Sequence, residues 1–494
     1  MQTTTHATPP GHVGHRGPED FQEHAKKALQ DAPLQQALQL LVTNFVPRRV
    51  NAMAALGNAE ELRTEARAIK ERTIARLDEY LALFSTQAQR TGVQVHWAVD
   101  AAEAREIITG IAQRIGAKVI VKGKSMATEE IHLNTHLEER GYEVVETDLG
   151  EYIIQLAGET PSHIIATAIH KTRQQIAALF HERLGTPYTE AIPEMTQIAR
   201  QTLRERFLQA DMGITGANFA IAETGSIVLV TNEGNGRLSS TMPRVHVALV
   251  GMEKVIPRLS DLAVMLKVLT NSATGQKISS YVTMLTGPRR AHDLDGPEEL
   301  HVVFLDNGRS GILRSANREA LYCLRCGACL NVCPVYQNVG GHAYGWVYPG
   351  PIGAVLTPML TGLDTAQHLP RASTLCGACR DACPVKINIP HLLLNLRHQL
   401  VERHDTPRAE RALFTLWSWI MRHPQVYKAA LALAALAQQP FVIQGWLSKL
   451  PGPFAGWTQS RDFKAVASRS FRQRWQDTLQ HERPAVVSEG RAHE

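Results

Sequence analysis

The chain lacks any apolar run long enough to cross a bilayer. About 18 such residues are needed, and AALALAALA at Ala429–Ala437 reaches half that length before Gln438, Gln439 and Pro440. The sequence therefore predicts no membrane crossing, while staying compatible with peripheral membrane contact. An excess of one charge is also missing. The net charge is +5 over 494 residues, too small to mark a nucleic-acid surface. Residues 401–494 carry 13 Lys/Arg against 8 Asp/Glu, a surplus equal to the whole net charge. Cysteine is absent before Cys323 and after Cys383, and the total is seven. An odd number confined to one segment, with no secretory apolar core ahead of it, argues against a disulfide scaffold. It points to a reducing cytoplasm.

Nucleotide signatures are missing as well. VKGKSMA at Val121–Ala127 has the Gly-Lys pair of a phosphate loop, but position 118, where the pattern needs glycine, is Lys118. GNGRLS at Gly234–Ser239 lacks the last glycine of a dinucleotide fingerprint. Lys122 and Lys124 remain as a candidate anion site at a strand-to-helix turn.

An apolar content of 44% and a charged content of 20% suit a globular protein with a substantial core. MQTTTHATPPGHVGHRGPED reads as a disordered tail over residues 1–20, its three histidines solvated, and not as a signal peptide. Helical spacing runs through LQQALQLLVTNF and EELRTEARAIKERTIARLDEYLALF, giving N-terminal helices over 21–91 that Gly92 stops. Strand-like VQVHWAV, AKVIVKG and YEVVETD then alternate with helical AAEAREIITGIAQRIG and SMATEEIHLNTHLEERG. FAIAETGSIVLVT, RVHVALVGMEKVI and LHVVFLDNG add further strands. This alternation predicts an α/β domain with a mainly parallel sheet over 70–305. Gly213–Arg244 is rich in glycine and hydroxyl residues beside strands. There Glu223 is the candidate catalytic acid and Arg237 the candidate anion partner; turns with a solvated glutamate are the competing reading. The end of the chain, 405–494, is basic and holds Trp417, Trp419, Trp446, Trp457 and Trp475. Trp417 and Trp419, in an apolar helix, are expected in a core, with docking to an acidic partner or lipid headgroups as the alternative.

What the chain does have is CLRCGACLNVCP at Cys323–Pro334 and CGACRDACP at Cys376–Pro384. The first run is the C-x2-C-x2-C-x3-C-P pattern, in which three cysteines serve one cluster and the fourth serves its neighbour. Overlaying it on the second run aligns Cys383 with the fourth position, Cys379 with the third, Cys376 with the second and Ser373 with the first. Cluster 1 then takes Cys323, Cys326, Cys329 and Cys383. Cluster 2 takes Cys333, Cys376 and Cys379 and lacks one protein sulfur. Ser373 as an alkoxide, water or another side chain, or a labile iron are the possible completions, and a four-iron cluster with a non-cysteine ligand is favoured. Zinc also binds paired C-x2-C motifs, but two proline-terminated runs are far more specific for iron–sulfur. This predicts a helical, two-cluster ferredoxin-like domain over 310–403.

These residues carry a likeness. GITGANFAIAETGSIVLV, GRLSSTMPRVHVALVG, GGHAYGWVYPGPIGAVLTP and LCGACRDACPVKINIP resemble the lactate utilization protein B family over roughly residues 20 to 480. The resemblance implies an α/β fold akin to sugar-phosphate isomerases and CoA transferases. It implies two [4Fe-4S] clusters on the seven cysteines, and a three-cysteine second run as the family's own pattern. It also implies electron transport in L-lactate oxidation to pyruvate, as a subunit of an oxidoreductase complex. The implied partners are a cysteine-rich-domain subunit and a second subunit with the same α/β domain. Two other readings compete: a catalytic or ligand-binding subunit whose α/β domain binds an acid or thioester, and a largely structural subunit. Anaerobically purified protein should be brown and contain iron and acid-labile sulfide; stoichiometric zinc without either would end the iron–sulfur reading.

Overall fold

In a computed structural model, the described residues are 21–403, 408–450, 452–459 and 461–479. The expected tail over 1–20 lies outside them. The chain divides into two compact units, Met1–Arg403 and His404–Glu494.

The first unit opens with helices Phe21–Gln30, Ala32–Leu40, Val46–Ala55, Ala59–Ala75 and Leu77–Arg90. The long charged stretch is two helices and not one, because Arg76 leaves helical geometry at φ −133° and ψ 42°. Gly92, at φ +90°, then turns the chain into the sheet.

The strands are β1 Gln94–Ala98, β2 Val119–Lys122, β3 Glu143–Glu146, β4 Met212–Thr215, β5 Phe219–Ile221, β6 Ser226–Thr231, β7 Val245–Gly251, β8 Val255–Ile256, β9 Tyr281–Leu285 and β10 Glu299–Leu305. Six form a sheet in the order β1-β10-β7-β4-β2-β3, and every pairing is parallel. Every residue of β7 is buried, as expected for a strand covered on both faces. The remaining strands form a second sheet, β8-β5-β6-β9. FAIAETGSIVLVT is therefore a hairpin and not one strand, with β5 and β6 antiparallel and Gly225 in the turn at φ +68°. A Cβ there would lie 2.2 Å from the Ala88 nitrogen, so glycine is required on two counts.

SMATEEIHLNTHLEERG also differs from its expected single helix. It forms helices Met126–Glu130 and Leu133–Glu138, with His132 between them at φ +50°. Two adjacent acids at the end of the first of these helices serve different partners. Glu129 pairs with Lys122 at 2.9 Å, whereas Glu130 accepts two bonds from Arg309 at 2.8 Å, one from Asn307 and one from Tyr348, both at 2.7 Å.

Glu130 belongs to a buried ionic network. Arg309 also donates through Nε to Glu253 at 2.6 Å, and Arg325 Nη2 donates to the other Glu253 oxygen at 3.3 Å. Lys70 donates to the Glu253 carbonyl. Gly251, two residues earlier, leaves the space: a Cβ there would sit 2.3 Å from Glu253 Oε2. The network ties an N-terminal helix, the ends of β7 and β10, and the first cysteine run into one core, and that core continues through Leu38, Phe304, Leu330 and Leu393.

In the second unit, helices Arg408–Arg422 and Pro424–Ala437 precede a ribbon of Trp446–Leu447 with Phe463–Lys464. Trp417 and Trp419 are not core residues: 56% and 50% of their surfaces are exposed. No residue described in these two helices is buried; two helices and a two-stranded ribbon supply no second layer to cover them. Among the described residues no helix is long and apolar enough to cross a membrane.

Arg309→Met should destabilise the first unit by about 3–5 kcal/mol, because it strands two buried carboxylates. Chemical denaturation followed by circular dichroism measures this; a loss under 1 kcal/mol, the usual value of an exposed pair, would show that the network is not a structural anchor.

Candidate iron–sulfur centre

The two cysteine runs are one loop built twice, fifty residues apart. In the first, the Arg325 amide donates to Cys323 Sγ at 3.4 Å. In the second, the Leu375 amide donates to Ser373 Oγ at 3.1 Å. Arg325 and Leu375 are both left-handed, at φ +61° and +55°. Gly327 and Gly377 follow at +72° and +88°, each starting a short helix, Ala328–Asn331 and Ala378–Ala382. Each helix closes with the same bond to its glycine carbonyl, from Leu330 and from Arg380, both at 2.9 Å. NREALYCLRC, expected to be helical, is only a 3-10 turn over Arg318–Tyr322, and the chain turns extended at Cys323, at φ −61° and ψ 123°.

Electrostatic coupling sorts the thiols into groups. Burial pushes Cys326 up to about 12, with Cys383 and Cys323 adding to the shift. Cys329 is raised by burial and then by Cys323, Cys326, Cys379 and Cys383. Burial raises Cys383 to about 11, with Cys323 contributing. Cys326, Cys329 and Cys383 are thus each raised in part by Cys323, and Cys326 and Cys329 also by Cys383. Burial and Cys333 push Cys379 up to about 12, and Cys376 adds to the rise; Cys333 is raised by burial and, less strongly, by Cys376. This second group has three members, and Cys329–Cys379 is its link to the first. Cys376, the exposed one, is lowered instead by the Ala378 amide and the Thr374 side chain. Buried thiols of raised pKa are poor free anions, and a metal that takes their protons reverses that cost. Four of the thiols, Cys323, Cys326, Cys329 and Cys383, line one small enclosed space. Seven thiols in two runs, four of them around one space, are a donor set that fits iron–sulfur ligation.

Backbone amides aim at these sulfurs. Ile387 donates to Cys383 Sγ at 3.3 Å, and amides of Val335 and Tyr336 serve Cys333. Such bonds to cluster sulfurs raise the reduction potential. Sequence reading missed what fixes the second run: arginines from the N-terminal helices. Arg63 donates to the Cys383 and Asp381 carbonyls at 2.8 Å, Arg49 to the Ala382 carbonyl at 2.8 Å, and Arg67 to the Lys386 carbonyl at 2.6 Å. On a charged helix face they look like solvated residues; only their partners, some 320 positions away, reveal the role. His163, missed too, is buried and held neutral, its pKa lowered to about 3 chiefly by burial. It contacts Asn331 at 3.0 Å, behind the first loop.

The other candidates fall elsewhere. Glu223 is exposed on the β5–β6 turn and accepts from the Leu259 amide at 2.8 Å, which caps the helix Leu259–Ala273. Arg237 is exposed and lies over the Tyr281 ring, 5.7 Å from its centroid. Lys122 is consumed by Glu129 and Glu146 at 2.9 and 2.7 Å, so it offers no anion site. Lys124 donates to the Ile165 carbonyl.

The repeated glycines are not equivalent. A Cβ on Gly327 would lie 2.9 Å from His163 Cε1, whereas one on Gly377 meets nothing within 4 Å. Both substitutions strain a left-handed residue by about 1–2 kcal/mol. Gly327→Ala should therefore lose more iron per chain on purification than Gly377→Ala, and equal losses would refute this packing account.

Profiles of known families match in the same order. A LUD domain spans residues 81–305, a 4Fe-4S dicluster domain 319–387, and the C-terminal region of lactate utilisation protein B 397–480. Lactate utilization protein B of Shouchella clausii is 46% identical over 453 residues, 92% of this chain and 95% of its own. Its counterpart in Bacillus subtilis is 45% identical over 469 residues, 94% and 98% of the two chains. A crystal structure of a DUF162 family protein from Deinococcus radiodurans covers 46% of this chain and 98% of its own at 18% identity, with a TM-score of 0.24, too weak a likeness to define the fold. The chain thus joins a parallel-sheet α/β domain to a ferredoxin-like 4Fe-4S region, and it belongs to the lactate utilization protein B family.

Proposed function

We infer that this protein carries electrons released in the oxidation of L-lactate to pyruvate, through two [4Fe-4S] clusters. One observation carries the reading: two copies of one loop whose thiols couple across the copies, Cys383 with the first run and Cys333 with the second. In this reading Cys323, Cys326, Cys329 and Cys383 hold cluster 1. Cys333, Cys376 and Cys379 hold cluster 2, and Ser373 Oγ stands at the fourth position, supported by its equivalence to Cys323 Sγ in the amide contact. When bound, such clusters supply one-electron transfer. The residues around them bury six of the seven thiols at least partly and direct amide dipoles at the sulfurs.

Lactate comes from the names of the relatives, and two one-electron centres in series suit a two-electron donor. The relatives' naming fits a multi-subunit lactate utilization system; a cytoplasmic location, and a cysteine-rich-domain subunit and a second LUD subunit as partners, are further parts of this proposal. Kinship of the α/β part with sugar-phosphate isomerases and CoA transferases, carried by the family resemblance alone, is part of this proposal. So is the division into 21–91, 70–305, 310–403 and 405–494.

EPR of the reduced protein, with iron and sulfide counts, tests the wiring. Ser373→Cys should alter one cluster's signal and potential and spare the other's. Cys333→Ala should remove the signal that Ser373→Cys alters, and Cys383→Ala the other. The reverse assignment would overturn the crossed arrangement.

A further inference from the structure

A cavity of about 530 Å3 opens at the carboxyl ends of the parallel strands. Its walls come from the segments after β2 (Lys124, Ser125), β3 (Asp148), β4 (Asn218) and β7 (Lys254). Open α/β sheets bind ligands at this edge, and the volume suits a small organic molecule. The far wall is unusual: it is Leu324 and Arg325, from inside the first cysteine run, together with Tyr348. Leu324 and Arg325 also line the small space enclosed by Cys323, Cys326, Cys329 and Cys383. The cavity and the cluster-1 thiols are thus separated by one stretch of backbone.

Two polar groups on the cavity wall are buried and unpaired. Arg325 is 9% exposed; its Nη2 reaches Glu253, its guanidinium stacks on Tyr348 at 4.5 Å, and its Nη1 has no partner. Asn235 is 6% exposed, and its Oδ1 has no partner. A buried donor of a charged group left unmade is costly, and a guanidinium is suited to a carboxylate. Lys254 adds a second cation to the cavity lining. Asn235 Oδ1 can only accept, so its complement is a hydroxyl or N–H donor. Much of the remaining wall is aliphatic, including Ile153, Ile164, Leu229 and Leu249.

We propose that this cavity is a binding site for a small organic carboxylate, with Arg325 and Lys254 receiving the carboxylate beside the first cysteine loop. The inference deepens the lactate reading by giving the α/β domain a ligand, and it rests on that reading for its probes. Glu223, the acid singled out in the sequence, takes no part, since it does not line the cavity.

The test uses the full chain, purified anaerobically with its iron. L-lactate, pyruvate and inorganic phosphate are titrated separately by calorimetry, and the EPR spectrum of the reduced protein is recorded with and without each. Saturable binding of lactate or pyruvate is expected, with a change in one cluster's signal. Lys254→Met and Arg325→Gln should each weaken that binding at least tenfold. Because Arg325 adjoins a cluster ligand, iron is counted in both variants, and Lys254→Met alone decides if Arg325→Gln loses metal. No saturable carboxylate binding, binding of phosphate only, or wild-type affinity in Lys254→Met would overturn the proposal. Those outcomes with intact, reducible clusters would leave the electron-transfer reading standing, whereas clusters that cannot be reduced would overturn that reading instead.

Discussion

Glu253 is the point on which the first unit depends. It is a carboxylate taken fully out of water at the end of β7, its pKa held down to about 2 by Arg309, Arg325 and Lys254 against the cost of burial. Arg309 follows β10, and Arg325 lies inside a cysteine run. Such a charge is tolerated in a core only when its partners are in place. Seating Glu253 therefore requires the α/β sheet and the first cluster loop to be docked together, and Arg309 extends the requirement to Glu130 and, through it, to Tyr348. Cluster loop and sheet edge form one electrostatic object.

A second constraint comes from the other side. Arg49, Arg63 and Arg67 donate to carbonyls of the second run, satisfying backbone groups that a tight loop cannot pair internally. The N-terminal helices thus clamp one cysteine run while the sheet clamps the other. The placing of the two runs is thus set by elements that contribute no sulfur.

The same docking makes the cavity. Strand carboxyl ends leave a crevice in any open parallel sheet, but here a cluster loop roofs it. Arg325 donates to the Glu253 anchor and also lines the open space, so one residue is at once a structural tie, a neighbour of the cysteine thiols and part of a cavity wall.

Much of this was legible in residue order. The spacing of Cys323, Cys326, Cys329 and Cys333 and the terminal prolines were enough to identify the loops, because ligand spacing is local chemistry. Laying Ser373 over Cys323 needed only counting, and the loops repeat each other down to the amide contact. Alternating strand and helix periods likewise announced the α/β domain. What residue order could not decide was everything requiring a distant partner. Lys122 looked like an anion site until two glutamates were found on it; Glu223 looked reactive until it proved to cap a helix; Trp417 and Trp419 looked buried until their helices lacked a covering layer. The arginine clamp, the Glu253 network and the roofed cavity depend on contacts between segments tens to hundreds of residues apart. Periodicity reports which face of an element is apolar, and only the packed chain settles what that face, or a charge beside it, will meet.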